Sequence, residues 1–174
     1  MLIITEEKRA HAAQIEAMLD AGFGADRRRK RSYDYRAGVP RLAPLCLVAL
    51  LDGTLAGSIR FWPIVIGESR TPALLLGPLV VHPDHRKSGI GSRLMREGLA
   101  RAKALGHRVV LLVGDQGYYE RFGFALAAPH GIEMPGESPL RLMAMPLVEG
   151  GLEGVSGAVQ SWRSLRGGRL ARAA

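Results

Sequence analysis

The chain has 174 residues, 47% of them hydrophobic, with 24 Lys or Arg against 16 Asp or Glu and a single cysteine. That size and composition predict one globular domain with a substantial core and exclude wholesale disorder, collagen-like and coiled-coil arrays. The lone Cys46 excludes a disulfide-stapled scaffold. The net charge of +8 is confined to two places: the run Arg27-Arg28-Arg29-Lys30-Arg31, and residues 150–174, where Arg163, Arg166, Arg169 and Arg172 face only Glu153.

Residues 1–5 predict a short strand, with Leu2 and Ile4 on one face. Ala12, Ile15, Met18, Leu19 and Phe23 then recur at helical spacing. The basic run and Ser32-Tyr33-Asp34-Tyr35 predict a second, more exposed helix or an ordered loop. Leu45–Leu51 and Thr54–Ile66 are β-rich on either side of Asp52-Gly53, a strong hairpin signal. Ala73–Val81 is a nearly all-apolar strand, expected to be buried on both faces. Gly77-Pro78 lies inside it and implies a bulge or a break in pairing. Over residues 90–105, Ile90, Leu94, Met95, Leu99, Ala102 and Leu105 share one helical face, and Gly106 stops the helix. A strand at Val109–Val113, a brief helix from Gln116 to Phe122, and strands near Phe124–Ala127 and Leu140–Leu147 follow. The order predicts a mixed α/β (α+β) domain with a partly antiparallel sheet. Beyond Glu149 repeated glycines break the periodicity, so residues 149–174 are expected to form a Gly/Arg-rich tail with at most one helical turn around Val159–Leu165.

The most apolar runs, Leu45–Leu51 and Ala73–Val81, are far shorter than the ~18–20 residues of a spanning helix. Glu6 and Glu7 stand where a signal peptide would be basic, so a cytoplasmic location without membrane contact is the expectation.

The stretch that carries chemistry is Leu79-Val80-Val81-His82-Pro83-Asp84-His85-Arg86-Lys87-Ser88-Gly89-Ile90-Gly91-Ser92. A buried strand ends, a short turn carries bases and glycines, and a long helix begins at once. Backbone N–H groups at a helix start lack intrahelical partners and lie at the positive end of the macrodipole. Gly89 and Gly91 let an anion approach the backbone, and Arg86 and Lys87 add charge, so a phosphate or pyrophosphate is expected there. Leu94 stands where a Rossmann fingerprint requires a third small residue, and Gly-x4-Gly-Lys-Ser/Thr occurs nowhere.

Arg86-Lys87-Ser88-Gly89-Ile90-Gly91 resembles the acetyl-coenzyme-A signature (Gln/Arg-x-x-Gly-x-Gly/Ala) of the GNAT N-acetyltransferases. Tyr119-Glu120-Arg121-Phe122-Gly123-Phe124, one helix and one strand further on, is similar to that family's Tyr-x-Lys/Arg-x-Gly-Phe segment. The resemblance covers residues 1–148 and implies the acyl-CoA N-acyltransferase fold: a central mixed, largely antiparallel sheet with a splayed strand pair, flanked by helices. It implies acetyl transfer from acetyl-CoA to a primary amine of a small molecule, peptide or protein by direct attack in a ternary complex. Main-chain groups of Leu79, Val80 and Val81 would bind the pantetheine arm and polarise the thioester carbonyl. Amides from Lys87 through Ser88, Gly89, Ile90 and Gly91 to Ser92 would cradle the pyrophosphate, with Arg86 opening the loop. Tyr119 would protonate the departing thiolate, and Cys46 need not act as a nucleophile.

Many relatives place a glutamate on the strand equivalent to Ala73–Val81, and this chain has none there. Asp115 is the nearest base by motif order, although an Asp before a short helix is also a preferred cap. Glu68, His82 and His85 are weaker candidates, and a water chain is an alternative. Tyr118 and Phe122-Gly123-Phe124 have the character of packing residues, and no His, Cys or Asp set has metal-ligand spacing, so no metal is expected. Arg27–Arg31 is either a solvated helix face or an attractor for an acidic substrate or the coenzyme's 3′-phosphate. Two other readings remain open: a CoA-binding protein with little catalysis, and a nucleic-acid-binding module using Arg27–Arg31 and the Arg-rich tail. The module lacks aromatic interleaving and zinc ligands. The acceptor is not specified, and a homodimer is left open.

Overall fold

The central strands are near-continuous apolar runs, buried on both faces because helices cover both sides of the sheet they form. The computed structural model describes residues 1–167, so Arg169 and Arg172 of the expected tail lie outside the described residues. The described residues contain nine strands: β1 (Leu2–Glu6), β2 (Leu47–Leu51), β3 (Thr54–Ile66), β4 (Thr71–Val81), β5 (Val109–Val113), β6 (Ala125–Leu126), β7 (Ile132–Glu133), β8 (Leu142–Pro146) and β9 (Gly157–Ser161). The main path runs β1-β2-β3-β4-β5-β8-β6, and β9 pairs with both β3 and β7. Only β4–β5 and β7–β9 are parallel. This is the mixed, largely antiparallel sheet flanked by helices that the sequence predicts.

The β2–β3 hairpin turns at Asp52-Gly53, both at positive φ, as a tight primed turn requires. Helix α1 (Ala12–Phe23) places Ile15, Met18 and Leu19 on Val48, Leu55 and Val80. The long helix α3 (Ile90–Ala104) covers the other face, where Ile90, Leu94, Met95 and Leu99 meet Leu47, Ala49, Ile59, Phe61, Leu74 and Leu76. Leu47 and Ala49 thus serve one helix and Val48 the other, as alternation along a strand demands. The basic run forms a helical turn at Arg27–Arg29 followed by the one-turn helix α2 (Arg31–Asp34), and α4 (Gln116–Tyr119) passes into a tighter turn at Glu120–Phe122.

Gly77-Pro78 breaks the pairing of β4 with β3. Ile59 faces Leu79 and Phe61 faces Leu76, so two residues of β4 lie opposite Arg60 alone. The extra residue reverses the strand's phase. Leu74 and Leu76 face α3 before it, Leu79 and Val81 pack on that same cluster after it, and Val80 turns toward α1. The indole N–H of Trp62 donates to the Gly77 carbonyl at 2.8 Å and fastens the bulge.

The expectation of a tail from residue 149 is corrected. Gly157–Ser161 forms β9, which pairs with Ile64–Ile66 of β3 and with β7. Val155 and Val159 are buried in a second cluster with Ile64, Ile66, Leu75 and Leu111. The strand is too short and too glycine-flanked to show alternation, and its edge is set by the long β3. Residues Trp162–Gly167 then form a helical turn.

Candidate active site

Strands β4 and β5 are paired only at Leu74–Val110 and Leu75–Leu111. Beyond those residues they separate, and the gap opens beside the bulge. One wall of the resulting cleft is Leu76–Leu79 with Leu112 and Val113, and another comes from the basic segment, through Tyr33 and Arg36. Tyr119 and Glu137 also border it, and its volume is about 300 Å³.

At the end of β4 the chain passes through a helical turn at Pro83–His85 and enters α3. Lys87 and Gly89 have φ of 68° and 82°, which curls the backbone so that successive amides face one concavity. Gly89 caps α3 in the left-handed conformation, and a Cβ there would meet nothing within 4 Å. Among the described residues the amides of Gly89, Ile90, Gly91 and Ser92 have no hydrogen-bond acceptor, as expected for the first turn of a helix. The Ser88 hydroxyl donates to the His85 carbonyl, so this residue offers a ligand its amide rather than its side chain. Arg86 and Lys87 are exposed beside the loop.

The Tyr119 ring lies against the backbone of Gly114, so closely that any Cβ at 114 would collide with it. Tyr118 and Phe124 pack edge-on to the ring at centroid distances of 4.9 and 6.2 Å. Burial, with help from the neighbouring Tyr118 and Asp115 and opposed by Arg141, pushes the Tyr119 phenol up to about 12. It is therefore protonated at neutral pH. Tyr118 carries Arg121 on its ring face at 4.6 Å, and its hydroxyl lies by Gly91.

Asp115 is the N-cap of α4: its carboxylate accepts from the Tyr118 amide at 3.0 Å, and it is exposed outside the cleft lining. The short helix needs that cap, which is why the residue stands where motif order suggested a base. Glu68 lies in the β3–β4 turn, at the opposite end of β4 from the bulge. His82 and His85 belong to the turn before the loop that opens α3, and His82 accepts from the Asp84 amide at 3.3 Å. The carboxylate that does line the cleft is Glu137, carried on the loop after β7. No periodic signal marks it, because its position depends on the fold of a loop.

The basic run is not a uniformly solvated face. Arg27 is buried and donates to Glu16, to Asp20 at 2.8 Å and to the Tyr33 hydroxyl at 2.9 Å. Arg28 also reaches Glu16, and Arg31 pairs with Asp34. Arg60, opposite the bulge, binds Glu7 with two nitrogens at 2.8 and 2.9 Å and Glu16 with the third at 2.9 Å. Much of the run's charge is thus spent on shaping the cleft wall. Cys46 is buried, and burial pushes its thiol up, which leaves it outside the chemistry.

Residues 12–124 match the family model described as the Acetyltransferase (GNAT) family. The chain belongs to the GNAT acetyltransferase family. It is 32% identical over 163 residues to the N-acetyltransferase YhbS of Escherichia coli (strain K12), an alignment covering 91% of this chain and 95% of that protein. The crystal structure of Escherichia coli YhbS in complex with CoA superposes with a TM-score of 0.80 at 29% identity, covering 98% of this chain and 93% of that one. A GNAT family acetyltransferase from Brucella melitensis in complex with acetyl-CoA gives a TM-score of 0.69 at 30% identity, covering 92% and 95%. Both the splayed strands and the helix that follows them are therefore those of a GNAT acetyltransferase.

Proposed function

We propose that the protein transfers the acetyl group of acetyl-CoA to a primary amine by direct attack in a ternary complex, with Tyr119 as general acid. The observation that carries this reading is the opened β4–β5 gap together with the unpaired amides that begin α3, the next long element after β4 in the chain. An extended thiol arm fits along Leu79–Val81, where β4 has lost its β5 partner. Its phosphates fit the amides of Gly89–Ser92 beside Arg86 and Lys87. The complexes of the two relatives with CoA and acetyl-CoA support the same ligand here.

In this reading a main-chain amide freed by the splay donates to the thioester oxygen, where negative charge develops as the amine attacks. The new C–N bond forms and the C–S bond breaks. Tyr119 gives its hydroxyl proton to the leaving sulfur and recovers one from solvent. The proton lost by the amine passes to Glu137, which replaces Asp115 as the carboxylate facing the reaction. No covalent intermediate on the protein is needed.

The test is single-turnover thiol release by Tyr119→Phe with acetyl-CoA affinity measured alongside. General acid catalysis is worth ~10²–10⁴-fold, so a loss of about a hundredfold or more in the chemical step is expected, with coenzyme affinity retained. Glu137→Gln in the same assay should slow the chemical step with acetyl-CoA affinity retained. Wild-type turnover in Tyr119→Phe would remove the assigned acid.

A further inference from the structure

Among the described arginines that line the cleft, Arg36 is the one both buried and without a carboxylate partner, since Arg141, which also lacks one, is exposed. Arg36 is 9% exposed, and its Nε has no hydrogen-bond partner. Among the described residues no carboxylate pairs with its guanidinium, whereas Arg27, Arg28, Arg31, Arg41 and Arg60 each have one. One face of the group lies over the Tyr33 ring at 4.8 Å. Its Nη2 approaches the bulge, 3.1 Å from where a Cβ on Gly77 would stand. Arg36 lines the acyl-side cleft and also a neighbouring cavity shared with Arg41 and Trp62.

A buried cation without a counter-ion is costly, and the local charges make it worse. Burial lowers its pKa to about 10, the Tyr33 phenol opposes this through its charge and polar contact, and nearby Arg60 and Arg27 lower it further. The group nonetheless stays protonated at neutral pH, since its pKa remains ~3 units above it. Glu7, Glu16 and Asp20 are already committed to Arg41, Arg60 and Arg27. The wall therefore holds an oriented guanidinium whose planar fork matches an oxyanion and whose partner the fold does not supply.

We infer that the acceptor is an amine that also carries an oxyanion, a carboxylate or a phosphate, which pairs with Arg36 when the acceptor enters the cleft. This rests on the acetyl-transfer reading of the cleft given above. The pair would set the acceptor's position beside the bulge and leave its amine directed toward the thioester. Arg36 then contributes to acceptor affinity and selectivity, and not to the coenzyme's binding.

The experiment compares thiol release from acetyl-CoA with matched acceptors: amino acids, their carboxamides and the corresponding decarboxylated amines, with aminoalkyl phosphates as a second anionic arm. The wild type should favour an anionic acceptor over its neutral partner by tenfold or more in kcat/KM. Carboxylates and phosphates are separated by which arm is turned over. Arg36→Met should erase the preference through KM, and Arg36→Lys should keep part of it. Acetyl-CoA affinity, read by calorimetry, reports whether each variant is folded. Equal turnover of neutral and anionic acceptors, or an undiminished preference in Arg36→Met, overturns the inference and leaves acetyl transfer standing. If no acceptor is turned over, N-acetyl amino acids and their amides are titrated into the CoA-saturated protein, and equal affinities overturn it. Failure of the wild type to bind acetyl-CoA overturns the underlying reading instead.

Discussion

Burial decides which half of the proposed chemistry Tyr119 can serve. With its phenol pushed up to about 12, the side chain holds its proton throughout the neutral range and can donate but not accept. Donation to a free thiolate would be uphill, because a thiol ordinarily titrates near ~8.5. In the proposed role, the burial that shifts Tyr119 would also raise the affinity of a departing sulfur beside it for a proton, which narrows that gap. Ionisation of Tyr119 should therefore impose no fall in kcat below about pH 10, and a pH–rate profile of the wild type checks this. The contact with Gly114 offers a second check at the same scale. Gly114→Val should move the ring and reproduce the slowed chemistry of Tyr119→Phe without altering coenzyme affinity, as thiol release and calorimetry can measure. Tyr119 was legible in the sequence because a local motif carries it. Glu137 and Arg36 were not, since each owes its position to a contact between segments far apart in the chain.

Among the elements, the start of α3 has the clearest dual role. Its first turn leaves amides without an acceptor, the proposed seat of the coenzyme's phosphates, while its apolar face, anchored by Leu94 and Met95, fills the core. At φ 82° Gly89 holds a conformation that costs an L-residue ~1–2 kcal/mol. Gly89→Val should therefore shift the loop toward another backbone conformation and weaken acetyl-CoA binding by about tenfold, as a strain of ~1.4 kcal/mol relieved by leaving the binding geometry would give. Calorimetry on the folded variant measures it. This helix and its loop were readable from spacing alone, as were β2, β3 and the break in β4. Strand β9 was not, because its five residues carry little pattern and its pairing surface is supplied by Ile64–Ile66 of β3.

For the whole molecule, the charged groups of the α1 face form one connected set that ties β1, α1, the basic segment and β3 together. Glu16 is its junction. Burial would raise its carboxyl, but hydrogen bonds from Arg60, Arg27 and Arg28 and the charge of Arg60 outweigh that and lower it from 4.5 to about 2. A carboxylate with a depressed folded-state pKa stabilises above its unfolded value and loses that contribution as pH falls through the folded one. Stability should thus decline between about pH 4.5 and 2, by on the order of 1 kcal/mol from Glu16 after allowance for its partial exposure. Urea unfolding at several pH values should show this, and Glu16→Gln should flatten the dependence. The net charge visible in the sequence gave little hint of the set, because composition counts the arginines without showing which of them the fold neutralises.

The bulge at Gly77-Pro78 has a further consequence. Removing one residue there would heal the pairing of β4 with β3 and leave Leu79 and Val81 on the α3 side and Val80 toward α1, because Leu76 and Leu79 would then stand two apart. The core on either side of the bulge therefore fits a smooth strand as well as an interrupted one. Deleting Gly77 or Pro78 should close the cleft while the protein still folds. The extra residue serves the opening and not the packing.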